Sequence, residues 1–265
     1  MSNLSKMGLL LRSLRSSPTE FCDRVGTAWE VRRDRMRRIS RSYQTVSLQT
    51  AIPIIEEALG RQVQPFLTEI ALSALEDEMK IGRSVLDSKA PFSIKHNGDT
   101  QLARFCYVVA RALTPQITLE TGVAYGVTSA HLLQALQCNE SGDLWSVDLP
   151  PLGKDADQYV GFLIPLHLRN RWQLHRGPTK RILPALLPSL PKLDMFVQDS
   201  LHTYRTITEE LTIAWRFLRH GGVVIVDDIG ENSAFQDFAH SADHSACVVV
   251  KENDKDSAFG VLVKR

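Results

Sequence analysis

The chain has no CxxC pair. Cys22, Cys106, Cys138 and Cys247 stand far apart, which excludes a zinc-knuckle spacing and a disulfide framework and points to a reducing, cytoplasmic setting. It also lacks a long apolar run: "GLLL" (8–11) is broken at once by Arg12 and Arg15, too short for a signal-peptide core or a membrane span. Charge of either sign is not in excess, with 31 Lys/Arg against 30 Asp/Glu, so nothing attracts nucleic acid in general and no such partner is expected. Internal repeats and low-complexity segments are missing. So are both common nucleotide fingerprints, the GxGxxG turn and the phosphate loop that ends in Lys-Ser/Thr.

What is there suits a folded chain. Hydrophobic residues make up 43% and charged residues 23% of 265 positions, enough for one α/β domain with an appendage. Up to Lys95 apolar residues recur at helical spacing: Phe21, Val25, Trp29 and Met36, then Phe66, Ile70, Ala74 and Leu75. That spacing predicts an α-helical N-terminal extension, residues 1–95, acting as a lid, an oligomerisation surface or a docking arm. Residues 1–41 carry ten Lys/Arg against four Asp/Glu. "RRDRMRRISR" (32–41) reads first as a solvated helix face, and second as a contact for an anionic membrane surface or nucleic acid.

From residue 96 the pattern changes. "HNGDT" (96–100) offers a helix cap, "QLARFCYVVARAL" a helix that Thr114 and Pro115 stop. Then short β-rich runs alternate with helical stretches: "ITLETG" (117–122), "LWSVD" (144–148), "WQLHRG" (172–177), "LDMFVQD" (193–199) and "VVIVDD" (223–228). Continuous apolar strands separated by helices predict a doubly wound, Rossmann-like α/β sheet over 96–265. "SACVVVKEN" (245–253) and "AFGVLVKR" (258–265) close it as an antiparallel hairpin.

Ligands of such sheets bind beyond the carboxyl ends of the strands, so the polar residues there carry the functional signal. Gly122 and Gly126 bracket a strand-to-helix turn, where a missing side chain lets a ligand approach the backbone or simply permits the turn. Asp148 ends the next strand, placed to accept hydrogen bonds from two ribose hydroxyls or to cap a helix. Asp199, Asp227 and Asp228 end two further strands. Three converging carboxylates repel one another unless a cation or protons intervene, and an all-oxygen set suits Mg²⁺ or Mn²⁺.

In this order, "ETGVAYGVTS", "SVDLP", "LDMFVQDSLHTY", "LRHGGVVIVDDI" and a closing hairpin resemble the class I S-adenosylmethionine-dependent methyltransferases over roughly residues 95–265. "QDSLHTY" with "HGGVVIVDDI" is similar to the metal-dependent branch of macrocin-type sugar and natural-product O-methyltransferases. The resemblance implies that Glu120, Gly122 and Gly126 lie against the methionine part of S-adenosylmethionine, that Asp148 binds its ribose, and that Arg176 and Gly177 flank its adenine. It also implies that Asp199, Asp227 and Asp228 bind Mg²⁺ or Mn²⁺ and that His202, three residues after Asp199, is the base that deprotonates an acceptor hydroxyl. Tyr204 reads as a packing or pocket residue, and Asn232 as a helix cap or a further ligand. The expected partners are a small-molecule acceptor and a second copy of the chain. A nicotinamide-dependent oxidoreductase and a non-catalytic scaffold are the alternatives. The long connection 150–172 is expected to be a lid.

Overall fold

A computed structural model of the chain describes residues 8–11, 14, 17–36, 43–86, 90–93, 100–153, 155–252 and 257–265. The candidate cap at His96–Asp99, Arg37, Arg38 and Arg41 of the basic run, and Asn253–Asp256 of the hairpin loop lie outside them. The principal helices and strands run in the order α1 (Pro18–Met36), α2 (Leu48–Leu59), α3 (Ile70–Leu86), α4 (Thr100–Leu113), β1 (Ile117–Thr121), α5 (Val127–Cys138), β2 (Asp143–Asp148) and β3 (Trp172–Arg176). They continue with α6 (Thr179–Leu186), β4 (Leu193–Gln198), α7 (Tyr204–Phe217), β5 (Leu218–Val226), α8 (Ala234–Ser241), β6 (His244–Lys251) and β7 (Ala258–Lys264).

The seven strands form one sheet ordered β3-β2-β1-β4-β5-β7-β6, parallel through β5, with β7 inserted antiparallel between β5 and β6. The chain winds outward from β1 in one direction and restarts at β4 beside it, so the switch point lies between β1 and β4. Alternation along the strands feeds two cores, as the two-residue period of a strand requires. Met195, Val197, Val223 and Ile225 face a core shared with α2, α3, α4 and α5, while Phe196, Val224 and Val226 face the one built with α6 and α7.

Two N-terminal expectations change. Ile52 and Ile55 of α2 and Leu72, Leu75 and Met79 of α3 are buried in the same core as α4 and α5, so the hydrophobic core continues across residue 95. Of the apolar spacing assigned to this region, Ile70 and Ala74 are exposed; the buried stripe of α3 is Leu72, Leu75, Met79 and Leu86, shifted round the helix. α1 is inverted outright. Asp23 is its buried residue, while Val25, Trp29 and Met36 face solvent.

The connection 150–172 is also not a loose lid. It folds into short 3₁₀ turns with Ala156, Val160, Leu163, Ile164 and Leu168 buried. Among the described residues no helix is long and apolar enough to cross a membrane.

Candidate active site

The parallel register sets the site. Thr121 is level with Gln198, and Gln198 with Val226, so Gly122, Asp199 and Asp227 leave three adjacent strands side by side. Backbone bonds extend the ladder one step further: Asp199 N–H donates to Thr121 O (2.8 Å) and Asp227 N–H to Gln198 O (2.9 Å). The loops are in such contact that a side chain at Gly122 would place its Cβ 1.9 Å from the Asp199 carbonyl oxygen, and Gly122 adopts φ +84°. Only glycine fits there. Gly126 serves the packing instead. A Cβ on it would meet Gly161 and Ile164 at 2.8 Å, so it admits the 150–172 segment and stands outside the cavity lining.

A cavity of about 1090 Å³ opens over these strand ends. At the upper end of the roughly 300–1,000 Å³ common for small-molecule sites, it has room for a nucleoside cofactor and a second small molecule. Gly122, Val123, Asp148, Leu149, Gly177 and Lys180 line one part, and Asp199, His202, Asp227 and Asp228 another. α1 supplies a wall through Thr27, Glu30, Val31, Asp34 and Arg35. Nine carboxylates line this volume against Arg35, Lys180 and the imidazole of His202, so acidic groups outnumber basic ones and its field favours cationic ligands.

Asp148 has its Oδ2 buried with no hydrogen-bond partner. Desolvation raises its pKa to about 7, against the opposing pull of the Val123 and Leu149 backbone amides. Glu120 sits beneath the site, not in its lining: it is fully buried and accepts hydrogen bonds from Ser129 Oγ (2.6 Å) and Ser146 Oγ (2.9 Å). Burial pushes it up to about 8. For both groups the folded pKa lies above the unfolded value, so their contribution to stability is present at low pH and is lost as pH rises through the folded pKa. We therefore expect the Tm of the ligand-free protein to fall as pH rises from about 5 to about 8, between the ordinary carboxylate pKa of the unfolded chain and these raised folded values, and S-adenosylhomocysteine to reduce that fall. A Tm that rises over this range in scanning calorimetry would contradict these environments.

Arg176 is not free to flank a ligand. Its guanidinium pairs with Asp157 and with Glu20 (2.8 Å) and stands outside the lining, clamping α1 to the connection before β3. Gly177 next to it does line the cavity.

At the other part of the cavity Asp199, His202 and Asp227 present ligand atoms all within 4.8 Å of one another. A second group with the same property is Asp227, Asp228 and Glu252, so Asp227 is common to both. Asp227 is buried, and its Oδ1 has no hydrogen-bond partner. Desolvation and the neighbouring Asp199 and Asp228 charges hold its pKa well above the carboxylate range. His202 Nε2 lies 3.6 Å from Asp199 Oδ1, and Nδ1 lies 3.2 Å from Asp228 Oδ2. Burial alone would lower the imidazole pKa, but these carboxylates outweigh it and hold the ring well above the usual histidine range. The donor set, carboxylate oxygens with one imidazole and no thiolate, fits a hard divalent cation.

Three residues that local motifs gave no signal for complete the site. Glu252 arrives from the terminal hairpin. Glu210 of α7, buried, accepts from Thr121 Oγ1 (2.7 Å) and Ser200 Oγ (2.8 Å) and so joins the loops after β1 and β4. Glu30 of α1 accepts from Thr206 Oγ1 (2.7 Å) and from Thr203 Oγ1 beside His202. Asn232 acts as a cap: its Oδ1 accepts from Ala234 N–H (3.0 Å), and its Nδ2 donates to the His202 carbonyl (3.0 Å). Tyr204 points away from the cavity, with its hydroxyl 3.2 Å from Asp237 Oδ2.

Residues 119–229 match a family model described as a methyltransferase domain. No curated protein sequence matches the chain. Among solved structures, the O-methyltransferase TomG of Streptomyces achromogenes, involved in tomaymycin synthesis and in complex with SAM, is 20% identical with a TM-score of 0.54, over 74% of this chain and 91% of that one. An O-methyltransferase of Bacillus cereus in complex with SAH is 16% identical with a TM-score of 0.55, over 72% and 91%. The SAH-bound methyltransferase PaMTH1 of Podospora anserina is 11% identical with a TM-score of 0.55, over 85% and 99%. At these identities the likeness is one of fold.

Proposed function

We propose, from the premise that this chain is a class I S-adenosylmethionine-dependent methyltransferase, that it methylates a hydroxyl of a sugar, glycoside or other small natural product with the help of Mg²⁺ or Mn²⁺. The observation that carries this reading is that the unpartnered Asp148 Oδ2 and the Asp199–His202–Asp227 group line a single cavity. The oxidoreductase and scaffold alternatives have no comparable support.

When bound, S-adenosylmethionine supplies an electrophilic methyl group on a sulfonium, and a divalent cation supplies the positive charge that acidifies an alcohol. The chain's own residues do the rest. Asp148, ionised, accepts hydrogen bonds from the ribose hydroxyls, and Gly122 and Gly177 leave room for the cofactor at the backbone. Asp199 and Asp227 would hold the cation, with Asp228 beside them, and its charge would offset the pull of these carboxylates on His202. Its Nε2, buried without a hydrogen-bond partner, then takes the acceptor's hydroxyl proton, while Asp228 fixes the ring through Nδ1. That arrangement of base and orienting carboxylate is the one general-base catalysis requires. The acidic lining favours the cationic cofactor and the metal alike.

The test is titration calorimetry with S-adenosylhomocysteine, with and without Mg²⁺, followed by a screen of hydroxylated acceptors. Micromolar binding with a metal-dependent heat is expected. A chain that binds neither the product analogue nor a divalent cation would overturn the proposal, and full methyl transfer after chelation would remove its metal component.

A further inference from the structure

α1 has two opposed faces, and the polar one is inside. Asp23, Thr27, Glu30 and Asp34 recur at the i, i+3, i+4 spacing of one helix side. Three of them reach the body of the protein through polar contacts: Asp23 with Arg181 (3.1 Å), Glu30 with Thr206, and Asp34 with the Tyr204 backbone amide (3.3 Å). The opposite side carries Cys22, Val25, Trp29 and Met36. Of these, Val25 is 36% exposed, Trp29 68% and Met36 69%. Arg32 and Arg33 are exposed and flank this stripe, and Arg35 is exposed at its edge. An ordinary surface helix has the reverse arrangement, with its apolar side toward the core.

We propose that the outer face of α1 docks the protein on an anionic lipid surface. Charge decides between possible occupants. The acidic residues of α1, Glu20, Asp23, Glu30 and Asp34, all stand on its inner side, so a second copy of this face would offer Arg32 and Arg33 no carboxylate to pair with. Anionic headgroups neutralise them instead, while Trp29, Val25 and Met36 enter the boundary layer, the arrangement of an interfacial amphipathic helix. The stripe from Cys22 to Met36 spans about 21 Å at 1.5 Å per residue, and its four apolar side chains fall well short of the roughly 20–30 residues per partner in a stable protein interface. Glu30 and Asp34 on the inner face line the cavity, so docking would place α1 between the lipid and that part of the cavity.

The experiment is vesicle co-sedimentation of the full chain, using phosphatidylcholine alone and phosphatidylcholine mixed with phosphatidylglycerol. Binding to the mixed vesicles that weakens with salt is expected, with at least about a tenfold loss in Trp29→Ala and in the double variant Arg32→Glu/Arg33→Glu. S-adenosylhomocysteine binding and Tm are measured on the same variants and should be retained, so that the loss cannot be assigned to misfolding. No binding to mixed vesicles, or equal binding by the variants, overturns the inference. So does a dimer by light scattering that Trp29→Ala dissociates, since the face is then a protein interface. Vesicle binding without S-adenosylhomocysteine binding would leave this inference standing and count against the proposed catalytic function.

Discussion

Asp227→Asn is expected to lower methyl transfer about 10³-fold, the scale on which loss of one preorganised electrostatic group acts, equivalent to roughly 4 kcal/mol of transition-state stabilisation. Asp227 belongs to both candidate cation groups, so its loss removes a ligand however the cation is shared between them. Mn²⁺ affinity should fall at least about 100-fold, while S-adenosylhomocysteine affinity changes by less than about threefold, because the ribose carboxylate is a different residue. The stability effect runs the other way. In the absence of metal Asp227 is buried beside Asp199 and Asp228 with its pKa raised, so its ionised form opposes folding at neutral pH and the neutral amide should raise the Tm. An inactive variant with a higher Tm is the signature of a residue kept for function. His202→Ala, assayed in parallel, should lose rate at neutral pH while still binding Mn²⁺. Activity near wild type in Asp227→Asn, or an unaltered pH profile in His202→Ala, would sink the corresponding role.

The second large effect is on cofactor affinity. Asp148→Ala removes an acceptor for two hydroxyl hydrogen bonds to a charged group, each worth about 1.5 kcal/mol or more, so S-adenosylhomocysteine should bind about 100-fold more weakly. The pH dependence adds a sharper test. Asp148 has its pKa raised to about 7 by desolvation, and in the proposed role it is the ionised form that accepts from the ribose hydroxyls. Wild-type affinity should therefore weaken as pH falls through about 7, with a proton released on binding, and Asp148→Asn should lose that dependence. Calorimetry in two buffers of different ionisation enthalpy measures both. An unchanged affinity in Asp148→Ala would place the cofactor elsewhere.

The strand positions were legible because each strand of a parallel sheet is covered on both faces and therefore reads as an unbroken apolar run. Leu193–Gln198 shows this, with Met195, Phe196 and Val197 all buried although they feed opposite cores. The convergence of Asp199 on Asp227 followed from the same source. Each stands one residue beyond the end of a strand, and neighbouring parallel strands in register must bring such residues together.

The N-terminal helices were legible in kind, but α1 was misread in orientation. Spacing of apolar residues predicts a helix equally well whether the stripe faces a core or solvent. In α1 it faces solvent because the surface beneath is an acidic, hydroxyl-lined cavity that can be closed only by hydrogen bonds and ion pairs. Arg176 was misassigned for a related reason: its place at a strand end was readable, but Glu20, 156 residues away, captures it. Glu252, Glu210 and Glu30 join the site from separate elements, and no local pattern announces a contact formed only when those elements pack.

By itself, then, the sequence determined the helices and strands, the parallel sheet with its terminal hairpin, and the identity of the residues that cap the strand ends, because periodicity and register are local properties of the chain. The tertiary structure decided which of those residues face the cavity, which are held by partners, and how α1 lies over them. Those choices depend on burial and on charges brought together from distant positions, and their free energies exist only after the chain has folded.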